Sequence, residues 1–268
     1  MKAATVSVKK PLLQLQPQYS ERNEWLQLAL SRKLSYEVLE LSSPPALNES
    51  RRFQVYKDWY RESGLVTSIH GMFIDVDPAS SDMAFQKLSR DRCRESCSLA
   101  AELGARNVVL HSSCLPFVRG GYLDHWAGLC AEFYEELAQT YHLNIYIENS
   151  QDVDPGPVRE LMNRITDPRV GVCLDLGHAN YSRCPVEKWL EDLGDRIGYL
   201  HLSDNNGLYD DHLPLGTGTV DWEEVDAFWK DRGGQMPATL EVGGLEGVRV
   251  SLQYIKDHGF FGSGNVEG

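Results

Sequence analysis

Short apolar, β-branched runs alternate with longer stretches of helical period along the whole 268-residue chain. The runs are "AATVSV" (3–8), "YEVLEL" (36–41), "VTSIHG" (66–71), "NVVLHS" (107–112), "NIYIEN" (144–149), "VGVCLDL" (170–176), "IGYLHLS" (197–203) and "ATLEVG" (238–243). Each reads as a strand. Between them, Trp126, Leu129, Cys130, Phe133, Leu137 and Tyr141 recur every three or four residues and predict one apolar helix face. Val186, Trp189, Leu190 and Leu193 predict a second, and Val225, Phe228 and Trp229 a third. Cys93, Cys97 and Ala100 mark one more buried face. Eight strands, each followed by a helix, predict an α/β chain folded as a single (β/α)8 TIM barrel, with parallel strands inside and helices outside. The barrel is expected to span 1–261, and the tail 262–268 to be disordered. A doubly wound open sheet is the rival, but it wants a glycine-rich loop after the first strand, and "SVKKPLLQLQ" has none.

Composition narrows the partners. A hydrophobic share of 42% with 24% charged residues is enough for a closed core at this length. A net charge of -13 argues against a DNA-binding surface, although bound divalent cations would reverse that sign locally. The N-terminal "MKAATVSVKK" lacks an apolar signal segment, and no run approaches the roughly 18 apolar residues of a membrane span, so a cytoplasmic location and no membrane partner are expected. The six cysteines are scattered through predicted strands and helices and read as reduced thiols.

The candidate chemistry lies at the strand ends, which in a barrel of this kind face the active site. Consecutive strands finish at His70, His111, Glu148, Asp175 (with His178 just beyond), His201 and Glu241, and the loop after the seventh strand adds Asp210 and His212. Any one of these is an ordinary structural residue. Together, converging acids and imidazoles with few basic partners repel and stay unsatisfied unless a cation sits among them. Mixed oxygen and nitrogen donors without cysteine favour Zn2+, Mn2+, Co2+ or Fe2+ over Ca2+, with Zn2+ or Mn2+ first. One ion takes about four to six donors, so nine suggest two or three ions. Glu40 is either a support for these groups or a core acid. Asp204 and Asn205 are expected to shape their loop, and Asp221 to cap a helix, while the glycines of "LGTGTVDW" leave room for a phosphate. Trp189, Trp222 and Trp229 read as core. His125, His142 and His258 read as incidental.

The stretches "GVCLDLGHAN", "HLSDNNGLYDDHLPLGTGTVDW" and "LEVGG" resemble the xylose isomerase-like TIM-barrel superfamily, which holds sugar isomerases and epimerases together with endonuclease IV-type phosphodiesterases. The resemblance covers nearly the whole chain. It implies a shared metal site at Glu148, Asp175, His201 and Glu241. In the epimerases, the glutamates like Glu148 and Glu241 also serve as acid and base, and a residue like His178 holds the substrate. The endonuclease IV type implies two further ions, one by His70 and His111 with Glu148, the other by His178, Asp210 and His212. The segments flanking His201 are shorter than in endonuclease IV, with no insertion suited to kinking DNA, so a small phosphorylated substrate is expected, as in the cobamide-remodelling phosphodiesterases. Metal-dependent phosphodiester hydrolysis by two or three ions is the favoured expectation, with Glu148 and Glu241 at the reacting centre. The alternative is a single-metal sugar or sugar-phosphate isomerase or epimerase, against which stands the lack of an arginine shortly after His201, near Gly207.

Overall fold

The computed structural model describes residues 12–42 and 49–265. Eight parallel strands close into a barrel in chain order: β1 (Leu13–Leu15), β2 (Ser35–Val38), β3 (Val66–His70), β4 (Asn107–His111), β5 (Asn144–Glu148), β6 (Val170–Asp175), β7 (Ile197–Leu202) and β8 (Ala238–Leu240), with β8 pairing back onto β1. Seven strands fall where the alternation predicts them. The first does not. The stretch 3–8 lies outside the described residues, and the first barrel position is taken by three residues of "PLLQLQ". Leu15 packs outward into the core, while the Gln14 side chain turns into the lumen and donates to the Tyr199 hydroxyl at 2.8 Å.

Parallel pairing buries both faces of each strand, and the helices supply the outer cover. Helix α1 (Arg22–Arg32) and α2 (Ser50–Ser63) follow β1 and β2; α3 (Met83–Leu103) and α4 (Gly121–Tyr141) follow β3 and β4. Four more helices, α5 (Gly156–Met162), α6 (Leu176–Tyr181), α7 (Val186–Leu193) and α8 (Trp222–Asp231), precede α9 (Gly244–His258), which closes the ring. The predicted stripes meet the strands: Trp126, Cys130, Phe133 and Leu137 on α4, all four expected residues on α7, and Cys93, Cys97 and Ala100 on α3 are buried. Leu129, Tyr141 and Phe228 pack against that core from its margin. All six cysteines are free thiols, and no helix among the described residues is long and apolar enough to cross a membrane. Of the tail 262–268, residues to Asn265 belong to the 3₁₀ turns Phe260–Asn265, where the Phe261 amide donates to Asp226; the last three residues lie outside the described ones.

Strand alternation then builds the site. Side chains two residues apart share a face, so the rim residues His70, His111, Glu148, Asp175, His201 and Glu241 stand above a second lumen layer at Ser68, Val109, Tyr146, Cys173, Tyr199 and Thr239. Val109, Cys173 and Tyr199, with Tyr146 against them, form a compact apolar plug separate from the outer core. The plug gives the rim residues a floor.

Candidate metal centre

Glu148, at the end of β5, lies at the middle of the rim and is 1% exposed. Its two oxygens serve different neighbours. Oε1 lies 3.3 Å from His201 Nδ1 and 3.4 Å from His178 Nδ1, whereas Oε2 lies 3.3 Å from His70 Nε2 and 3.4 Å from His111 Nε2. Glu241, just past β8, brings Oε2 to 2.7 Å from His201 Nδ1, and Asp175 Oδ2 lies 3.9 Å from the same atom. Glu148, Asp175, His201 and Glu241 each offer a donor atom within 4.8 Å of the others, and so do His70, His111 and Glu148. The strand-end residues predicted to converge therefore do.

Asp175 does two jobs. Its Oδ1 accepts from the His178 amide at 2.6 Å and caps α6, while Oδ2 faces the centre. This cap turns the chain from strand directly into helix, so His178 reaches the rim from a helical turn. Asn149 braces the same corner, accepting from the Asp175 amide and donating to its carbonyl.

The segment after β7 folds back over the pocket. Asp204 pairs with Leu213 through both backbone groups, and its carboxylate accepts from the amides of Asn205, Gly216 and Val220 and from Trp222 Nε1. Asp204 is thus a loop organiser, as expected. The glycines serve the close packing of this turn, for a Cβ on Gly218 would sit 2.3 Å from the Asp204 carboxylate and one on Gly216 would sit 2.2 Å from the Tyr254 ring. The fold-back carries Asp210 and His212 over the rim, with Asp210 Oδ2 at 3.3 Å from His178 Nε2 and 3.2 Å from His212 Nε2. Asp221 caps α8 and Trp189, Trp222 and Trp229 are core; Glu40 accepts from the Tyr19 amide and Tyr60 and lines the pocket wall. His142 forms the left-handed C-cap of α4, which accounts for it without chemistry.

One residue of this constellation escaped the strand-end argument. Glu37, in the middle of β2 and wholly buried, lies 3.1 Å from His201 Nε2 through Oε1. By contrast, His70, His178 and His212 each set Nδ1 against a backbone carbonyl, at Gly71, Asn149 and Glu241, leaving Nε2 to face Glu148 in His70 and Asp210 in His178 and His212. A carbonyl only accepts, so each of those Nδ1 atoms carries a proton.

The charges test whether a cation fits. Glu148 Oε1 and Oε2, Asp175 Oδ2, His201 Nδ1 and Glu241 Oε2 are all buried without a well-directed hydrogen bond, which is costly in a finished core. Protons stand in instead. Burial pulls His70 down, but the close approach and charge of the Glu148 carboxylate outweigh it and hold the imidazole at about 8. Burial likewise opposes charge on His212, and Asp210 overcomes it to hold it at about 9. His111, with burial dominant, falls to about 4, and burial lifts Asp175 to about 6. Glu241, resisted by burial, is drawn to about 2 by His201. Buried acids neutralised by protonated imidazoles are a donor set that a divalent cation satisfies on displacing those protons. The residues fit a metal.

The pocket above them has a volume of about 500 Å³, and Gln16, Trp25, Phe73 and Val242 contribute to its walls. A family model described as xylose isomerase-like TIM barrel matches residues 28–258. The probable endonuclease 4 of Mycobacterium leprae is 25% identical over 218 residues, covering 75% of this chain and 81% of that protein. Among solved structures, the TTHB071 protein from Thermus thermophilus, soaked with ZnCl2, is 26% identical with a TM-score of 0.75 over 92% of this chain and 97% of that one. A D-tagatose 3-epimerase-like protein is 24% identical with a TM-score of 0.72, covering 84% and 87%.

Proposed function

The chain belongs to the xylose isomerase-like TIM barrel family, and from that premise we propose that it is a divalent-metal-dependent isomerase or epimerase of a small sugar-like substrate. The observation that carries this reading is the pairing of Glu148 and Glu241 across His201 Nδ1, at 3.3 and 2.7 Å, on the floor of the rim pocket. A divalent ion held by Glu148, Asp175, His201 and Glu241 would polarise a substrate carbonyl and its neighbouring hydroxyl. One glutamate then takes the proton from the carbon beside that carbonyl and the other returns one, a transfer general acid–base groups accelerate by about 10²–10⁴-fold. His178, above Glu148, is placed to hold a substrate hydroxyl. No Lys or Arg is among the described residues lining the pocket, which suits an uncharged polyol better than a phosphate. The epimerase-like protein of similar fold supports the same reading.

Phosphoester hydrolysis, which the donor count favours, is kept as a second reading because of one observation. Glu148 divides its oxygens between two histidine groups, and Asp210 sits between His178 and His212, so donors are left over once one ion is held. Clustered ions would activate water and neutralise phosphate oxygens that the pocket's own side chains do not. The endonuclease 4 relative supports this alternative.

Metal content per chain, measured on protein purified without chelators, decides between them when paired with His212→Ala. One ion, retained in His212→Ala, with turnover of an aldose or ketose panel, supports isomerisation. Two or three ions, one lost in His212→Ala, with turnover of a phosphodiester panel, overturns it in favour of hydrolysis. A chain that binds no metal sinks both.

A further inference from the structure

His201 is held differently from the other histidines of the rim. Where His70, His178 and His212 lean on backbone carbonyls, His201 turns Nε2 toward the carboxylate of Glu37, 3.1 Å from Oε1 and 3.2 Å from Oε2. Its Nδ1 is left facing Glu241, Glu148 and Asp175. Glu37 is itself clamped in the lumen. Its Oε2 accepts from the Tyr199 hydroxyl at 2.6 Å and from Thr239 at 3.2 Å, and its Oε1 from the Gln16 amide at 2.8 Å. Tyr199 is steadied in turn by the Gln14 amide. Residues on or beside three other strands, β1, β7 and β8, therefore converge on one β2 carboxylate that has no access to solvent.

Such a group needs a reason. A buried carboxylate is costly unless paired, and an apolar residue would close this part of the lumen more cheaply, as Val109 does on β4. The β2 ladder is made by backbone atoms and asks nothing of the side chain. What the carboxylate alone supplies is an acceptor that cannot donate. It fixes the proton of a neutral His201 on Nε2, so the lone pair on Nδ1 points at the acids of the rim, and it makes that nitrogen more basic.

Resting on the metal reading above, we propose that Glu37 is a positioning residue of the centre, which holds His201 through Nε2 so that Nδ1 is the atom offered to the ion. Zinc affinity measured by competition with a chelating dye, on the full chain and its Glu37→Leu and Glu37→Gln variants, tests it. Glu37→Leu is expected to bind about 10–100-fold more weakly. Glu37→Gln, which keeps an acceptor opposite Nε2, should fall between it and the wild type. Equal affinity in all three overturns the proposal. Should Glu37→Leu fail to fold, the wild type decides by itself: with zinc bound and histidine labelled with nitrogen-15, His201 should show a protonated Nε2 and a metal-shifted Nδ1. A metal-shifted Nε2 overturns the assignment. A wild type that binds no zinc defeats the metal reading as a whole, whereas a wild type and Glu37→Leu of equal affinity defeat this inference alone.

Discussion

The floor of the pocket and its lip use the same kinds of side chain but hold them in different ways. On the floor, Glu148, Asp175, His201 and Glu241 are set on or beside strand ends, with side chains 12% exposed or less. At the lip, Asp210 and His212 ride on the fold-back after β7 and are 39% and 33% exposed. A floor residue moves only if the barrel deforms. A lip residue moves if the loop does, and the loop is secured through Asp204 and Asn205. The difference assigns the chemistry that must be preorganised to the strands, and leaves the adjustable part of the site to the loop.

Breaking the floor should have the largest effect. Glu241→Gln is expected to lower turnover by about 10²–10⁴-fold while circular dichroism and thermal melting stay near wild type, since Glu241 lies outside β8 and the core does not depend on it. A collapsed variant would show that the floor is structural. Loosening the lip comes next. Asp204→Ala strands four donors and is expected to destabilise the chain by about 1–3 kcal/mol, raising the Michaelis constant while a floor ion stays bound. Metal analysis and steady-state kinetics on the same preparation check this, and loss of the floor ion would erase the proposed distinction.

The smallest effect is one of pH. In chelator-stripped protein, His70 on the floor and His212 at the lip are held at about 8 and about 9, above the ordinary 6.5. Folding therefore stabilises their protonated forms. That contribution is complete below about pH 6.5 and is lost as pH rises, through about 8 for His70 and about 9 for His212. Melting temperature should fall across that window as metal affinity rises, because an ion must displace the same protons. A histidine titration by NMR should find His70 deprotonating before His212, and a stripped protein whose melting temperature is flat or rises from pH 6.5 to 9 would refute the assignment.

Much of the floor was legible in the chain because strand alternation is strict. The rim residues from His70 to Glu241 end strands rich in Val, Ile and Leu, so their polarity stood out. The first strand was hidden by its brevity. Three residues with Gln14 at their centre look like a turn, and its long-range partners Tyr199 and Thr67 account for a buried glutamine there. Glu37 was hidden by a nearby acid, since Glu40 drew attention to the strand's end. Ser35 and Glu37 alternate with Tyr36 and Val38, and that pattern was the available signal that Glu37, one layer below the rim, faces inward. The lip was read from its sequence as a group, but the reason for its shape lies in long-range bonds from Asp204 to Gly216, Val220 and Trp222.

Asp175 has a consequence for which sequences can inherit this site. One of its oxygens caps the turn that carries His178, and the other faces the centre. Asparagine caps as well as aspartate but brings no charge; glutamate keeps the charge but is a methylene too long for the cap. Two constraints of different origin thus meet at one codon, and the substitutions that satisfy each are different. A lineage that changed its substrate by rewriting the loop after β7 would still pass Asp175 on unaltered.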